Sequence, residues 1–322
     1  MTHMTLLTWP DYLAPSTLER FRIETGATVD LDIVPSAVEL LARMRQTDAL
    51  VDLLCPPDYA ARELIAEGLL LELEADHIPN RGNLGDGFAD RPHDPGDRFT
   101  VPKDWGTTGY LVRRDRLPHP GRSWADFWAL AGDASGHVTL LDSPGEVIGA
   151  ALKRRGHSYN CGDDSALARA AQDLLDLLPH LLSFTSDYRP LWQSGQAWLS
   201  LGWNGDAIAL QQEGLPVTYI IPEEGSQIWE DDWAIAKRSR EPEAAHRFLD
   251  FVLRPDIAAE EALYTGYATP NREALDRLPA ARRDDPVIYP PADVLARLER
   301  GIALDPAARE LRAAIWSTVR QA

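Results

Sequence analysis

The chain has 322 residues, with 32 lysines and arginines against 50 aspartates and glutamates, a net charge of −18. Acidity of this size repels nucleic acid and anionic membrane surfaces, so neither is expected as a partner. A hydrophobic fraction of 44% excludes a disordered chain, the length suggests two domains, and no stretch reaches the roughly 20 apolar residues that span a bilayer.

In chain order, the start Met1-Thr-His-Met4 reads as an artificial beginning, so a leader removed from an exported protein is expected. Residues 4–9 are short, apolar and strand-like. Residues 15–26 open on Pro15 and close on Gly26, the signature of a helix. Residues 28–34 alternate as a strand, residues 36–45 have helical spacing behind an Ser36 N-cap, and residues 51–55 form a buried strand. A helix over 58–68 follows, expected to be capped by Asp58. This β-α-β-α-β-α order predicts a parallel sheet covered on both faces. Residues 80–97, rich in Gly, Pro, Asp and Asn, read as a surface loop. Strand signals resume at 99–113 and a second α/β alternation begins. It has helices opening at Ser123, over 147–155 and over 164–178, and strands at 137–141, 197–203, 217–221 and 232–236. A helix over 242–253 ends near Pro255, and the tail (291–300, 306–319) reads as mostly helical.

The two cysteines, Cys55 and Cys161, lack metal-type spacing, and the sequence leaves open whether they pair. The eight histidines show no ligand-like arrangement, so neither a metal nor any other cofactor is expected.

Four distant segments place a carboxylate beside an aromatic ring. They are Trp9-Pro-Asp11-Tyr12, Glu146 after Asp142-Ser-Pro-Gly, Trp203-Asn-Gly-Asp206, and Trp229-Glu-Asp231, the last supported by Tyr267. An organic cation with an alkyl body needs this chemistry: carboxylates hold ammonium ends, while ring faces attract the cation and cover methylenes. Three of the segments, and Tyr59 beside Asp58, follow predicted strands, and in open α/β sheets ligands bind at the carboxyl ends of strands. Asp11 and Asp206 also read as helix N-caps, and Asp231 as part of a solvated charge run. Trp124, Trp128 and Trp316 lie on helical patterns and are expected in the core.

Collinear motifs then carry a family resemblance. Trp9-Pro-Asp-Tyr12, Phe21-Arg-Ile-Glu-Thr-Gly26, Asp52-Leu-Leu-Cys-Pro56, Ser123-Trp-Ala-Asp-Phe-Trp128, Leu141-Asp-Ser-Pro-Gly-Glu-Val147, Gly202-Trp-Asn-Gly-Asp206, Ile221-Pro-Glu-Glu-Gly225, Phe251-Val-Leu-Arg-Pro-Asp256 and Ile288-Tyr-Pro-Pro-Ala-Asp-Val294 occur in that order. Together they resemble the periplasmic polyamine-binding receptors of bacterial ABC importers, with the putrescine-binding branch most similar. The resemblance implies an α/β, two-lobed periplasmic binding protein fold of type II, each lobe a mostly parallel sheet flanked by helices, with the ligand cleft between lobes. Lobe one is expected at 1–107 plus 231–275 and lobe two at 108–230 plus 276–322. Hinge strands are expected near 105–110 and 228–233.

The resemblance further implies ligand-binding roles for Trp9, Asp11, Tyr12, Tyr59, Glu146, Trp203, Asp206, Trp229, Asp231 and Tyr267, and no catalytic residue. Asp11, Glu146, Asp206 and Asp231 match acidic positions of the putrescine branch, and Tyr59 an aromatic position of the spermidine branch. Pro10 and Pro57 stand where the family often has serine, Ser143 where the spermidine branch has an acid, and Trp229 where the putrescine branch has a smaller ring. The expected protein is a periplasmic monomer that captures a short aliphatic amine and delivers it to an inner-membrane permease. Putrescine is the first guess, with cadaverine, agmatine and spermidine open. A ligand-loaded sensor remains an alternative role. A glycoside hydrolase or sugar-binding protein using the same Trp, Asp and Glu residues is the alternative of another class.

Overall fold

The structure is a computed structural model that describes residues 2–46 and 50–322. Met1, on which the expected leader scar partly rests, lies outside the described residues.

Among the described residues the strands are β1 (His3–Thr8), β2 (Thr28–Ile33), β3 (Leu53–Leu54), β4 (Thr100–Arg113), β5 (Val138–Leu140), β6 (Leu181–Phe184), β7 (Leu199–Trp203), β8 (Val217–Ile220) and β9 (Ile228–Ile235). The chain divides into two compact units, Met1–Trp105 with Glu230–Asp284, and Gly106–Trp229 with Asp285–Ala322. Both are α/β.

In the first unit β2, β1 and β3 run parallel, and β9 pairs antiparallel with β3, with Leu54 opposite Ala234. The pairing continues as a bridge between Pro57 and Asp231. The carboxyl ends of β1 and β3 therefore arrive beside the middle of β9. The helix Pro15–Thr25 ends on Gly26 at φ 73°, a left-handed turn that glycine adopts without steric cost. Ser36 caps the helix Ala37–Arg45 by accepting from the Glu39 amide. Leu7, Leu40, Leu54, Leu64 and Ala234 pack the core under these helices.

In the second unit β4 pairs antiparallel with β7 and β8, and β7, β5 and β6 continue in parallel. Here Ser123 and Asp126 form a reciprocal capping box at the start of the helix Trp124–Asp133. Trp124 is fully buried, and Trp128 and Trp316 pack partly buried on the same core.

Several expectations change in detail. Asp58 does not cap its helix: Pro57 is the N-cap of Asp58–Ala66 and Asp58 is the first helical residue. The strand expected over 51–55 is paired as β3 only at Leu53 and Leu54. The segment read as a surface loop contains short 3₁₀ turns (Pro79–Asn83, Asp86–Phe88) and buries Arg91, His93 and Asp94. Polar composition suggested solvent, but here the polar groups pair with one another. A second helix, Pro255–Thr265, follows at once where Pro255 was read only as a stop, because proline also suits a first helical turn. Both thiols are free, Cys55 buried and Cys161 partly so.

Candidate functional site

The first unit gathers Trp9, Tyr12, Asp231 and Tyr267. After β1 the chain turns through Asp11, held at φ 52°, a left-handed conformation that aspartate tolerates better than most residues. The turn points Trp9 and Tyr12 at β9. The Trp9 indole donates from Nε1 to Asp231 Oδ2 at 2.9 Å, and the Tyr12 hydroxyl lies 2.8 Å from the same oxygen. Tyr267 stands edge-on to Tyr12, with ring centroids 6.1 Å apart. Tyr12, Asp231 and Tyr267 are all under a tenth exposed. Asp11 and Tyr59 are instead exposed. Neither Asp11 nor Asp206 is an N-cap: Ala14 and Trp203 hold those positions. Asp231 is not part of a solvated charge run, because all three acids of 230–232 are buried.

A second layer supports Tyr12. Its hydroxyl lies 2.5 Å from Asp104 Oδ1, Lys103 Nζ lies 2.7 Å from Asp104 Oδ2, and that ammonium sits 3.6 Å above the Tyr12 ring centre. The turn is also anchored by Glu261, which accepts from the Ala14 amide and the Thr17 hydroxyl and so satisfies donors at an uncapped helix start. Burial, then the charge of Asp104, pushes the Asp231 carboxyl up to about 8. Burial likewise raises Glu261 to about 7, against the pull of Lys103. The Tyr12 phenol is raised well above its usual value by burial, Asp104 and Asp231.

The second unit gathers Glu146, Trp203 and Asp206. Thr108 on β4 is the register partner of Trp203 on β7, so both side chains emerge on one face. The Thr108 hydroxyl donates to Glu146 Oε1 at 2.6 Å and the Trp203 indole to the same oxygen at 2.7 Å. Glu146 lies in the first turn of the helix Pro144–Arg154, and Asp206 in the first turn of Asn204–Gln212, where helix dipoles favour carboxylates. The Tyr188 hydroxyl accepts from the Trp203 amide at 2.9 Å and bonds the Asp206 carboxyl. It gets this close because residue 202 is glycine: a Cβ there would fall 2.3 Å from that hydroxyl. Trp229 lies against Gly106 in the same way, its Cζ2 2.4 Å from where a Cβ would stand. Burial raises Glu146, opposed by the Thr108 and Trp203 hydrogen bonds, and pushes Asp206 up to about 6, opposed by Tyr188.

Sequence reasoning missed Lys103, Asp104, Thr108 and Tyr188. The available signal was a charged pair, Lys103-Asp104, in a stretch from Thr100 to Val112 that is otherwise uncharged.

His93, Glu230 and Asp232 converge closely enough to suggest a metal. The Arg91 guanidinium occupies that place, donating to Glu230 at 2.8 Å and bonding Asp232, while His93 Nε2 lies 2.7 Å from Asp232. The cluster is a closed ion network and is not assigned as a metal site. It holds the segment around residue 91 against β9.

A model of the family described as bacterial extracellular solute-binding protein matches residues 17–288. The spermidine/putrescine-binding periplasmic protein of Escherichia coli K12 is 32% identical over 291 residues, covering 89% of this chain and 83% of that protein. The putrescine/cadaverine-binding protein of Pseudomonas aeruginosa is 29% identical, over 98% and 92%. Among solved structures, the spermidine/putrescine ABC transporter substrate-binding protein of Streptococcus pneumoniae superposes with a TM-score of 0.86 at 25% identity, covering 100% of this chain and 99% of that one.

Proposed function

The chain belongs to the bacterial extracellular solute-binding protein family, and from that footing we propose that it captures a short aliphatic di- or polyamine. It is the substrate-binding component of an ABC importer and works in the periplasm. The observation that carries the ligand class is a repeated device. In each unit an indole N–H and a hydroxyl converge on one oxygen of a buried carboxylate, Asp231 in one and Glu146 in the other. Each carboxylate is thereby aimed, beside aromatic surface, as an ammonium receptor requires.

Burying four methylenes of putrescine contributes about 3 kcal/mol. Micromolar affinity needs about 8 kcal/mol, so the ammonium–carboxylate contacts must supply the rest, net of desolvation. Putrescine leads because Ser143 stands where a further acid would serve a longer polyamine. The protein acts as a monomer, hinging near residues 105–110 and 228–233, and has no catalytic role. A thermal-shift series of putrescine, cadaverine, agmatine, spermidine, amino acids and sugars tests the reading. Amines are expected to raise the melting temperature by linkage. A shift with a sugar and none with any amine rejects it.

A further inference from the structure

Tyr12 has one phenolic hydrogen, yet its oxygen lies at hydrogen-bond distance from two carboxyl oxygens, Asp104 Oδ1 at 2.5 Å and Asp231 Oδ2 at 2.8 Å. Two hydrogen bonds among three oxygens need two hydrogens, and only a protonated carboxyl can supply the second. The surroundings decide which carboxyl. Asp104 is paired through its other oxygen with the Lys103 ammonium, a partner that favours its charged form. Asp231 has no such cation in contact: its oxygen meets Trp9 Nε1 and the Tyr12 hydroxyl. The hydrogens therefore run in one direction, from Asp231 to Tyr12 to Asp104, and the chain ends on Lys103.

Resting on the amine-binding reading, we propose that Asp104, ion-paired with Lys103, is a positioning residue which keeps a proton on Asp231 in the empty protein, and that an incoming ammonium displaces this proton to solvent. The exchange balances: a neutral carboxylic acid and a cationic amine become a carboxylate–ammonium pair and one released proton. The amine stays charged near neutral pH, since alkylammonium groups titrate near 10. The device makes this half of the site nearly neutral until the ligand arrives. It avoids holding two bare carboxylates, Asp104 and Asp231, on either side of one phenol.

The other groups around Asp231 fit this assignment. Cys55, on the segment following β3, has its thiol held protonated by burial. Glu261 is also raised by burial, with Lys103 opposing and Asp104 adding to the rise. Tyr267 bears on Tyr12 rather than replacing it. The flanking acids Glu230 and Asp232 are neutralised by Arg91 and His93. The upward displacement of Asp231, from burial and then from Asp104 and against the pull of Lys103, agrees with the geometric assignment.

Calorimetric titration with putrescine in phosphate and in Tris at about pH 7 reads the exchange directly. The expected result is release of about one proton per putrescine, with affinity tightening by about tenfold per pH unit up to the point where Asp231 ionises. Asp104→Asn should reduce the release to less than about half and flatten the pH profile. A role confined to packing would weaken binding without moving either readout. Infrared spectroscopy of the empty protein is independent of any ligand. A protonated-carboxyl band at about pH 7 that loses one component in Asp231→Asn, and keeps the component removed by Glu261→Gln, supports the bound proton. Absence of that band, or tight putrescine binding with no proton released, overturns the proposal. If the band is present but no amine binds, the amine reading fails and the exchange with it, while the bound proton stands.

Discussion

The two carboxylate-centred groups share a plan and differ in what lies behind them. Asp231 and Glu146 are each held on one oxygen by an indole and a hydroxyl. Behind Glu146 the supporting groups are neutral: Thr108, Tyr188, and Asn204 accepting from the Thr107 amide. Behind Asp231 they are ionic: Lys103, Asp104 and Glu261. A neutral backing fixes geometry alone. An ionic backing fixes geometry and also sets how many protons the group holds, because buried charges act on one another through a medium less polarisable than water.

The strongest test of the pair is removal of each charge. Asp231→Asn is expected to weaken putrescine binding by about 2–5 kcal/mol, and Glu146→Gln by a comparable amount, measured calorimetrically. The loss at Asp231 should vary with pH around neutrality. The comparison breaks if either single substitution leaves putrescine affinity unchanged, because that carboxylate then takes no part in holding the ligand.

The second test concerns the ionic layer without ligand. Glu261 ionises near pH 4.3 in an unfolded chain and near about 7 when folded. Between those values the folded state binds more protons, so the stability contributed by this group is full below about pH 4 and falls as pH rises through about 7. Thermal melts from pH 5 to 8 should show a loss on the order of 1–3 kcal/mol that Glu261→Gln removes. A melting profile unchanged by the substitution would show that Glu261 ionises normally.

The smallest effect concerns the ring. Trp203→Ala is expected to cost roughly 1–3 kcal/mol for putrescine and less for methylamine, because only the longer ligand has methylenes to cover. Equal losses for both would assign Trp203 to orienting Glu146 through its indole N–H alone.

Local chemistry made much of the fold legible. Pro15 and Gly26 bracket a helix by fixing backbone angles, and Ser36 and Ser123 mark helix starts by offering an acceptor to an amide three residues on. The aromatic–acid segments were visible as residue types, and the family resemblance converted them into a site hypothesis. Asp58 was misread because the preceding Pro57 already occupies the capping position. The loop around Arg91 was misread because composition reports polarity but not whether polar groups find partners.

By itself, the sequence determined most of the strands and helices, though not β6 or the helix Pro255–Thr265, together with the acidic and aromatic character of the candidate site residues, and the family. Those follow from periodicity, turn chemistry and residue type, all carried by neighbours along the chain. Tertiary structure alone decided that Thr108 stands across from Trp203, that Tyr12 lies between Asp104 and Asp231, and that Lys103 covers its ring. These are contacts between residues dozens to hundreds of positions apart. Burial and charge at that range depend on which surfaces the folded chain brings together, and no local pattern encodes them.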